Sequence, residues 1–357
     1  MPAGRFLMFA VLAASAALVA GCHSSGTASP KATVTVTVPP ASSPSGGLGS
    51  GSTPSPTDAG GEPGIVAVTT RGALVVLSTS TGSITQTLVP SGVIGDEVSV
   101  SPNGSTVYFT EAAGCHAEVE SVSITGSDLT AIAVGQLAAI SPDGTKLAYT
   151  TEPVMSDTCV PDPAKASVAA EYKIVVRTLA TGADQDLTLP AQVQRSQLLP
   201  PVSHLSWAAN GSALAVSTSA VADNEGWNLA VVDLAEAKYY VGPAAGVTDI
   251  GVSGSPTPQR SYLREGIFLP DGNFFVSRAC CAGVPVRNTS RLLWEVNVNG
   301  ALIHQVAIGY PNLDHDSLAS DPTGNWLLYV GGTELYVSQD GNRPSDLASG
   351  LVAAAWI

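Results

Sequence analysis

Charge is what this chain has least of. Asp, Glu, Lys and Arg make up 12% of its 357 residues, about half the usual ~25%. Cations are scarcer than anions, since 15 Lys and Arg against 29 Asp and Glu leave a formal net charge of −14. An acidic surface repels phosphate backbones, so no nucleic-acid partner is expected. No polybasic run is present to hold an anionic membrane, and the acidity itself reads as solubility. Helical periodicity is also lacking, because no segment after the N-terminus keeps apolar residues at a 3.6-residue spacing. The signatures of common enzyme classes are missing too: no Gly-x-Ser-x-Gly elbow in a strand-to-helix context, no His-Glu-x-x-His and no phosphate loop. No cofactor is implied. What is plentiful is Gly (36) and Pro (25), with Thr, Val and Ser throughout, a composition that suits an all-β chain with many turns.

A short polar turn ending in Gly occurs five times between apolar runs. The copies are Ser101-Pro102-Asn103-Gly104, Ser141-Pro142-Asp143-Gly144, Ala208-Ala209-Asn210-Gly211, Leu269-Pro270-Asp271-Gly272 and Asp321-Pro322-Thr323-Gly324. Asn-Gly and Asp-Gly supply the positive φ that tight hairpins need. A turn returning every roughly 40 to 65 residues marks a repeat architecture, and four strands per repeat mark a β-propeller. With strands named A to D from the axis outward, five blades can be read. They cover residues 97–134, 137–189, 204–242, 265–308 and 317–348, each with the polar turn as its A–B hairpin. Residues 64–70, 73–77 and 84–89 supply strands B, C and D with no A strand before them. Residues 351–357 supply one strand with nothing after it, and Trp356 sits where Trp207 sits in its own A strand. Closing the N-terminal blade with the C-terminal strand gives six blades and leaves no open sheet edge. The segment 241–264 has room for further strands.

The N-terminus reads as an export signal over residues 1–21. Arg5 supplies the positive region, and residues 6–20 form an apolar stretch too short to span a bilayer comfortably. Val19-Ala20-Gly21-Cys22 follows it and resembles a bacterial lipobox. That resemblance implies cleavage before Cys22 and a lipid on its thiol, the nucleophile that accepts it. Several acyl chains hold a soluble domain on a membrane where one binds only marginally. Residues 22–63 are rich in Ser, Thr, Pro and Gly, cannot bury a core, and read as a disordered tether with an r.m.s. reach of roughly 35 Å. The expected location is the outer face of a bacterial cell membrane, held through Cys22.

The Ser-Pro-Asp-Gly turn followed by Leu147-Ala148-Tyr149 resembles the WD40-like repeats of the TolB propeller family. The resemblance covers most of residues 64–357 and implies the fold rather than a task, because such propellers serve many. Two departures stand out: no N-terminal α/β domain like that of TolB, and no extra domain like that of LpqB-type propeller lipoproteins. What the family binds therefore does not carry over.

Antiparallel strands sort the loops between two rims. A–B and C–D turns share one rim and are short. Most B–C and D–A loops share the other and are long: 152–170, 190–203, 242–264 and 279–291. Long loops on one rim of a rigid scaffold are where binding usually sits. Counting seven residues back from each turn Gly places Glu97, Leu137, His204, Glu265 and Ser317 at one register of the A strands. One residue earlier stand Asp96, Gln136, Ser203, Arg264 and Asp316. These positions are expected to converge at the mouth of the central channel on the long-loop rim, with Arg195, Arg278, Asp314 and His315 nearby. A concave mouth with converging acids, bases and His is a ligand-site candidate. Asp314-His315-Asp316 carries metal-ligand chemistry, but consecutive extended residues point to alternate sides, so no metal is expected.

Four cysteines follow Cys22. In an exported protein they suggest disulfides, with three full pairings open. Cys115 and Cys159 fall in B–C loops of adjacent blades on one rim, which makes them a plausible pair. Cys280 and Cys281 form either a strained vicinal bond, a free thiol pair or a bond to another molecule. The reading that needs least is a monomeric, non-catalytic scaffold that binds an envelope protein or glycan on the long-loop rim. The alternative is a propeller hydrolase or lactonase working at the channel mouth, with His204 and Glu97 or Glu265 as its acid and base.

Overall fold

A computed structural model describes residues 64–151, 173–188, 202–218, 228–235, 238–241, 261–280, 291–297, 302–310, 316–339 and 345–357. The chain divides into one unit over Met1–Thr53 and another over Pro54–Ile357. Every described residue lies in the second.

The described residues form strands and turns only, arranged as six four-stranded antiparallel sheets. Blade 1 contains β1 (Gly64–Thr69), β2 (Leu74–Ser78) and β3 (Ile84–Val89). Blade 2 contains β4 (Val93–Val100), β5 (Thr106–Ala113), β6 (His116–Ser123) and β7 (Thr130–Val134). Blade 3 runs β8 (Gln136–Ile140), β9 (Lys146–Thr150), β10 (Lys173–Thr178) and β11 (Ala183–Thr188). Blade 4 runs β12 (Val202–Trp207), β13 (Ala213–Thr218), β14 (Asn228–Asp233) and β15 (Lys238–Val241). Blade 5 runs β16 (Ser261–Phe268), β17 (Phe274–Cys280), β18 (Arg291–Val296) and β19 (Leu302–Tyr310). Blade 6 runs β20 (Asp316–Ser320), β21 (Trp326–Gly331), β22 (Glu334–Gln339) and β23 (Ser345–Ser349). The last strand, β24 (Leu351–Trp356), returns to blade 1 and gives it the order β24-β1-β2-β3. The first strands of successive blades touch in sequence, β4 to β8, β12, β16, β20, β24 and back to β4. The molecule is a six-bladed propeller.

The seam is the sheet the sequence anticipates. Ile65, Val66, Ala67 and Val68 lie opposite Trp356, Ala355, Ala354 and Ala353. Its ends are tied by the Ile357 amide donating to the Gly64 carbonyl at 3.0 Å and the Thr70 amide donating to Gly350 at 2.8 Å. Chain head and tail therefore meet on the rim that carries the A–B turns.

Nearly continuous apolar runs make the strands because each blade is buried on both faces. Side chains alternate along a strand, so neighbours serve opposite interfaces. On β1, Val66 and Val68 pack toward Val107 and Phe109 of blade 2, whereas Ile65 and Ala67 pack toward Leu328 and Val330 of blade 6. Six apolar clusters result, one at each interface between adjacent blades. Burying a Val, Leu or Phe in this way contributes about 1.5–3 kcal/mol.

The five polar turns are built alike. The amide of each Gly donates to the carbonyl three residues back, at 2.8–3.0 Å, in Gly104, Gly144, Gly211, Gly272 and Gly324. Each of these glycines has φ between 68° and 88°, a region that only Gly occupies without strain. In four of them the Asn or Asp before the Gly closes a side-chain turn, and in the fifth Asp321 accepts the amide and hydroxyl of Thr323. Asp143 accepts the Ser141 hydroxyl at 2.6 Å and the Thr145 amide at 3.0 Å. Asn103 accepts the corresponding groups of Ser101 and Ser105. The Ser141 hydroxyl, and then the Thr145 amide, hold the Asp143 carboxyl down at about 2.

Several A strands begin earlier than the turn spacing suggests. β4 starts at Val93, β12 at Val202 and β16 at Ser261 rather than at residues 97, 204 and 265. The cause is an irregular register that carries pairing past the point where a regular ladder would stop. The expected signal, tether and Cys22 lie outside the described residues, as does most of the segment 241–264.

Candidate functional site

The inner end of the propeller is shaped by one repeated device. In β12, Val202 and His204 pair with Thr218 and Ser217, which leaves Ser203 as an extra residue. In β16 the extra residue is Arg264, between Leu263 and Glu265. Register shifts fall at the same place in β4, between Ile94 and Ser99, and in β8, between Gln136 and Ala139. β24 shifts between Ala353 and Leu351. Five of the six innermost strands thus carry a bulge; in β4, β8, β12 and β16 it falls about eight residues before the turn Gly, the register of Asp96, Gln136, Ser203 and Arg264, and β24, which no turn follows, carries its own near Val352. β-Bulges bend a strand and re-aim the side chains beside them. In β8 the distortion includes Leu137 at φ 61°, with its amide donating to the Thr110 hydroxyl of blade 2 at 3.2 Å.

Glu97 and His204 stand beside their bulges and come together. Glu97 extends from blade 2 past blade 3, and its carboxylate accepts the Leu205 amide of β12 at 3.1 Å. The same oxygen, Oε2, lies 3.7 Å from His204 Nδ1. Both side chains are buried, 4% and 7% exposed. Burial pushes the His204 imidazole down to about 4, so the ring is neutral at ordinary pH despite the adjacent carboxylate. Among the other residues of that register, Leu137 is buried, and Ser317 is buried with its hydroxyl accepting the Ala354 amide at 3.4 Å.

The remaining candidates are placed by backbone only. Glu265 lies opposite Ser277, Arg278 opposite Leu263, and Asp316 opposite Gly331. Their side chains, and that of Arg264, lie outside those described. Arg195, Asp314 and His315 lie wholly outside the described residues. Cys115, in the connection between β5 and β6, is disulfide-bonded. The side chains of Cys159, Cys280 and Cys281 lie outside those described. Among the described residues, no group of three His, Cys, Asp or Glu side chains stands close enough to hold a metal ion.

Two features escaped the sequence reading. One is a set of hydroxyl staples between blades. Ser99 accepts the Ile140 amide and Ser206 accepts the Phe268 amide, both from five residues before a turn Gly to four before the next. Thr110 and Ser217, each six residues after a turn Gly, take the amides of Leu137 and Gly266. Innermost strands have a free edge, and these hydroxyls satisfy it. Aligning the repeats on Gly would have exposed the recurrence. The other feature is an acidic cluster on blade 2. Glu111 lies directly opposite Glu118, with Glu120 two residues on along β6. Burial, then a hydrogen bond with Glu111 and the charges of Glu111 and Glu118, raise Glu120 to about 7. Three acids at one sheet position carry no sequence motif.

No family model and no curated protein matches this sequence. Solved structures do. TolB from Acinetobacter baumannii aligns over 83% of this chain and 66% of its own, at 14% identity and a TM-score of 0.56. A nidogen/laminin complex aligns over 82% of this chain and 98% of the matched one, at 10% identity and a TM-score of 0.52. A protein of unknown function from Bacteroides caccae aligns over 83% and 99%, at 10% identity and a TM-score of 0.50. At these identities the likeness is one of fold, and it agrees with the propeller described above.

Proposed function

We propose, from a propeller fold shared with TolB, that this chain is an extracytoplasmic lipoprotein whose propeller is a non-catalytic binding scaffold. Cys22 carries the lipid, residues 22–63 form the tether, and the rim of B–C and D–A loops takes an envelope protein or glycan. The observation that carries the reading is the contrast between the two rims. On one rim every A–B turn is closed by the same short hydrogen-bonded unit. On the other, β9 and β10 are separated by residues 151–172, β11 and β12 by 189–201, β15 and β16 by 242–260, and β17 and β18 by 281–290. Rigid scaffolds with long loops on one side bind through them. The nidogen/laminin structure is a complex of two proteins, which makes a protein the first partner to test. A bond between Cys115 and Cys159 would fasten one long loop to its neighbour and reduce loop entropy.

The reading is tested by crosslinking in intact cells. Replacing residues 281–290 with a Gly/Ser segment of equal length should remove a captured partner. Changing Thr81 and Thr181 on the opposite rim should not. Capture that survives the loop exchange and fails in the turn variants would overturn the assignment of faces. Cys22→Ser should release the protein from the membrane fraction. The hydrolase alternative rests on the approach of His204 to Glu97 and requires turnover of a small ester or lactone that is lost in His204→Gln.

A further inference from the structure

Trp326 breaks the repeat at the seam of the ring. Two residues after the turn Gly stand Thr106, Lys146, Ala213 and Phe274 in blades 2 to 5, and Trp326 in blade 6. The first three are small or charged, and Phe274 is buried. Trp326 is large and 39% exposed. Side chains alternate along β21, so it shares a face with Leu328 and Val330, which pack on Ile65 and Ala67 of blade 1. Its ring meets Trp356 of β24 edge-on, with centroids 6.2 Å apart. The two indoles cap the interface of blades 6 and 1 on the rim that carries the A–B turns.

Trp356 also departs from Trp207, its counterpart in blade 4. The Trp207 indole N–H donates to the Ala139 carbonyl of the preceding blade at 2.9 Å. The Trp356 N–H is buried and has no acceptor among the described residues. Buried donors are nearly always paired, so the described residues leave this patch incomplete.

The chain enters the ring beside it. Ile65 lies directly opposite Trp356, and β1 begins one residue earlier, at Gly64. The ten residues ahead of Gly64 read Pro-Ser-Pro-Thr-Asp-Ala-Gly-Gly-Glu-Pro, and the compact unit that contains the ring begins at the first of them, Pro54. Pro-rich segments favour the polyproline II conformation, which aromatic-lined grooves bind at low entropic cost. Ten residues in that form span about 31 Å, whereas facing sheets lie only about 10 Å apart. The segment is long enough to cross from blade 1 to blade 6.

We infer that residues 54–63 dock on Trp326 and Trp356, with proline rings against the exposed indole surface. The docked segment covers the seam and fixes the direction in which the chain leaves the ring. Neither a lipid on Cys22 nor a partner on the opposite rim is needed for it.

The test uses the full chain labelled with 5-fluorotryptophan, whose five Trp give separate fluorine signals. Trp326→Phe and Trp356→Phe assign two of them. Exchanging residues 54–63 for a Gly/Ser segment of equal length should move those two signals and leave the other three in place. In the unexchanged chain, Trp326→Ala should speed cleavage before Asp58 by endoproteinase Asp-N more than about fivefold, since cleavage follows the open population. Should Trp326→Ala fail to fold by circular dichroism, the segment exchange decides, because it alters no residue of the ring. Signals unmoved by the exchange, or an unchanged cleavage rate in folded Trp326→Ala, would overturn the inference. Signals that ignore the exchange but move on dilution would assign the patch to a second copy of the chain and overturn it too. Membrane release and partner capture are separate readouts, so failure of either leaves the docking standing.

Discussion

Leu351→Ala probes the closure on which the ring depends. Leu351 is 2% exposed and packs in the cluster shared by Ile65, Ala67, Leu328, Val330 and Leu335. Its amide donates to the Thr333 carbonyl of blade 6 at 3.0 Å. Truncation removes three carbons, about 2.4 kcal/mol at ~0.8 kcal/mol each. The cavity left between blades 1 and 6 raises the cost to about 3–5 kcal/mol, because strands on both sides are fixed by their own sheets and collapse only in part. The assay is urea unfolding followed by tryptophan fluorescence and by far-UV circular dichroism. A ring has no blade that is spare, so both signals should shift together to lower urea with an unchanged slope. Leu129→Ala, at a position 54% exposed just before β7, should cost less than about 0.5 kcal/mol. A loss below about 1 kcal/mol in Leu351→Ala, or an early transition seen by one probe alone, would refute the argument that the seam stabilises the whole molecule.

Other outcomes are specific to single groups. Trp207→Phe removes the indole donor to the Ala139 carbonyl, a 2.9 Å bond between blades 3 and 4, and should lower stability by about 1–3 kcal/mol in the same assay. Glu120 binds its proton more tightly when folded, up to about 7. Stability from this group is therefore full below the ordinary carboxylate range and is lost as pH rises through about 7. Glu120→Gln should flatten that fall and raise the urea midpoint at pH 8; an unchanged pH profile would refute the assignment. Asp143 behaves oppositely. Its carboxyl is held at about 2, so its contribution is present above the ordinary value and disappears as pH falls through about 2. Asp143→Asn should match wild type at pH 7, since Asn103 and Asn210 close equivalent turns, yet lose less stability between pH 4 and pH 2.

The sequence made the strands legible because turn chemistry and double-sided burial are both local signals. Gly104, Gly144, Gly211, Gly272 and Gly324 must adopt positive φ, and the runs between them need no partner to be recognised. The seam followed from counting, since three strands lacked a fourth and one strand lacked a sheet. The bulges were not legible. An extra residue such as Ser203 or Arg264 leaves the local pattern intact and shows only in cross-strand pairing. For the same reason the meeting of Glu97 and His204 could be placed at a shared register but not measured, because it depends on the curvature of two strands more than a hundred residues apart. Trp356 makes the same point. It shares the register of Trp207, yet it lies edge-on to Trp326, with ring centroids 6.2 Å apart. Its indole N–H has no hydrogen-bond partner among the described residues.

Because Ile357 donates to Gly64, both ends of the folded ring leave from the side bearing the compact hairpins. Anything that grips the polypeptide ahead of Gly64 grips that side. The opposite side, with its lengthy connections, is left clear of such a grip.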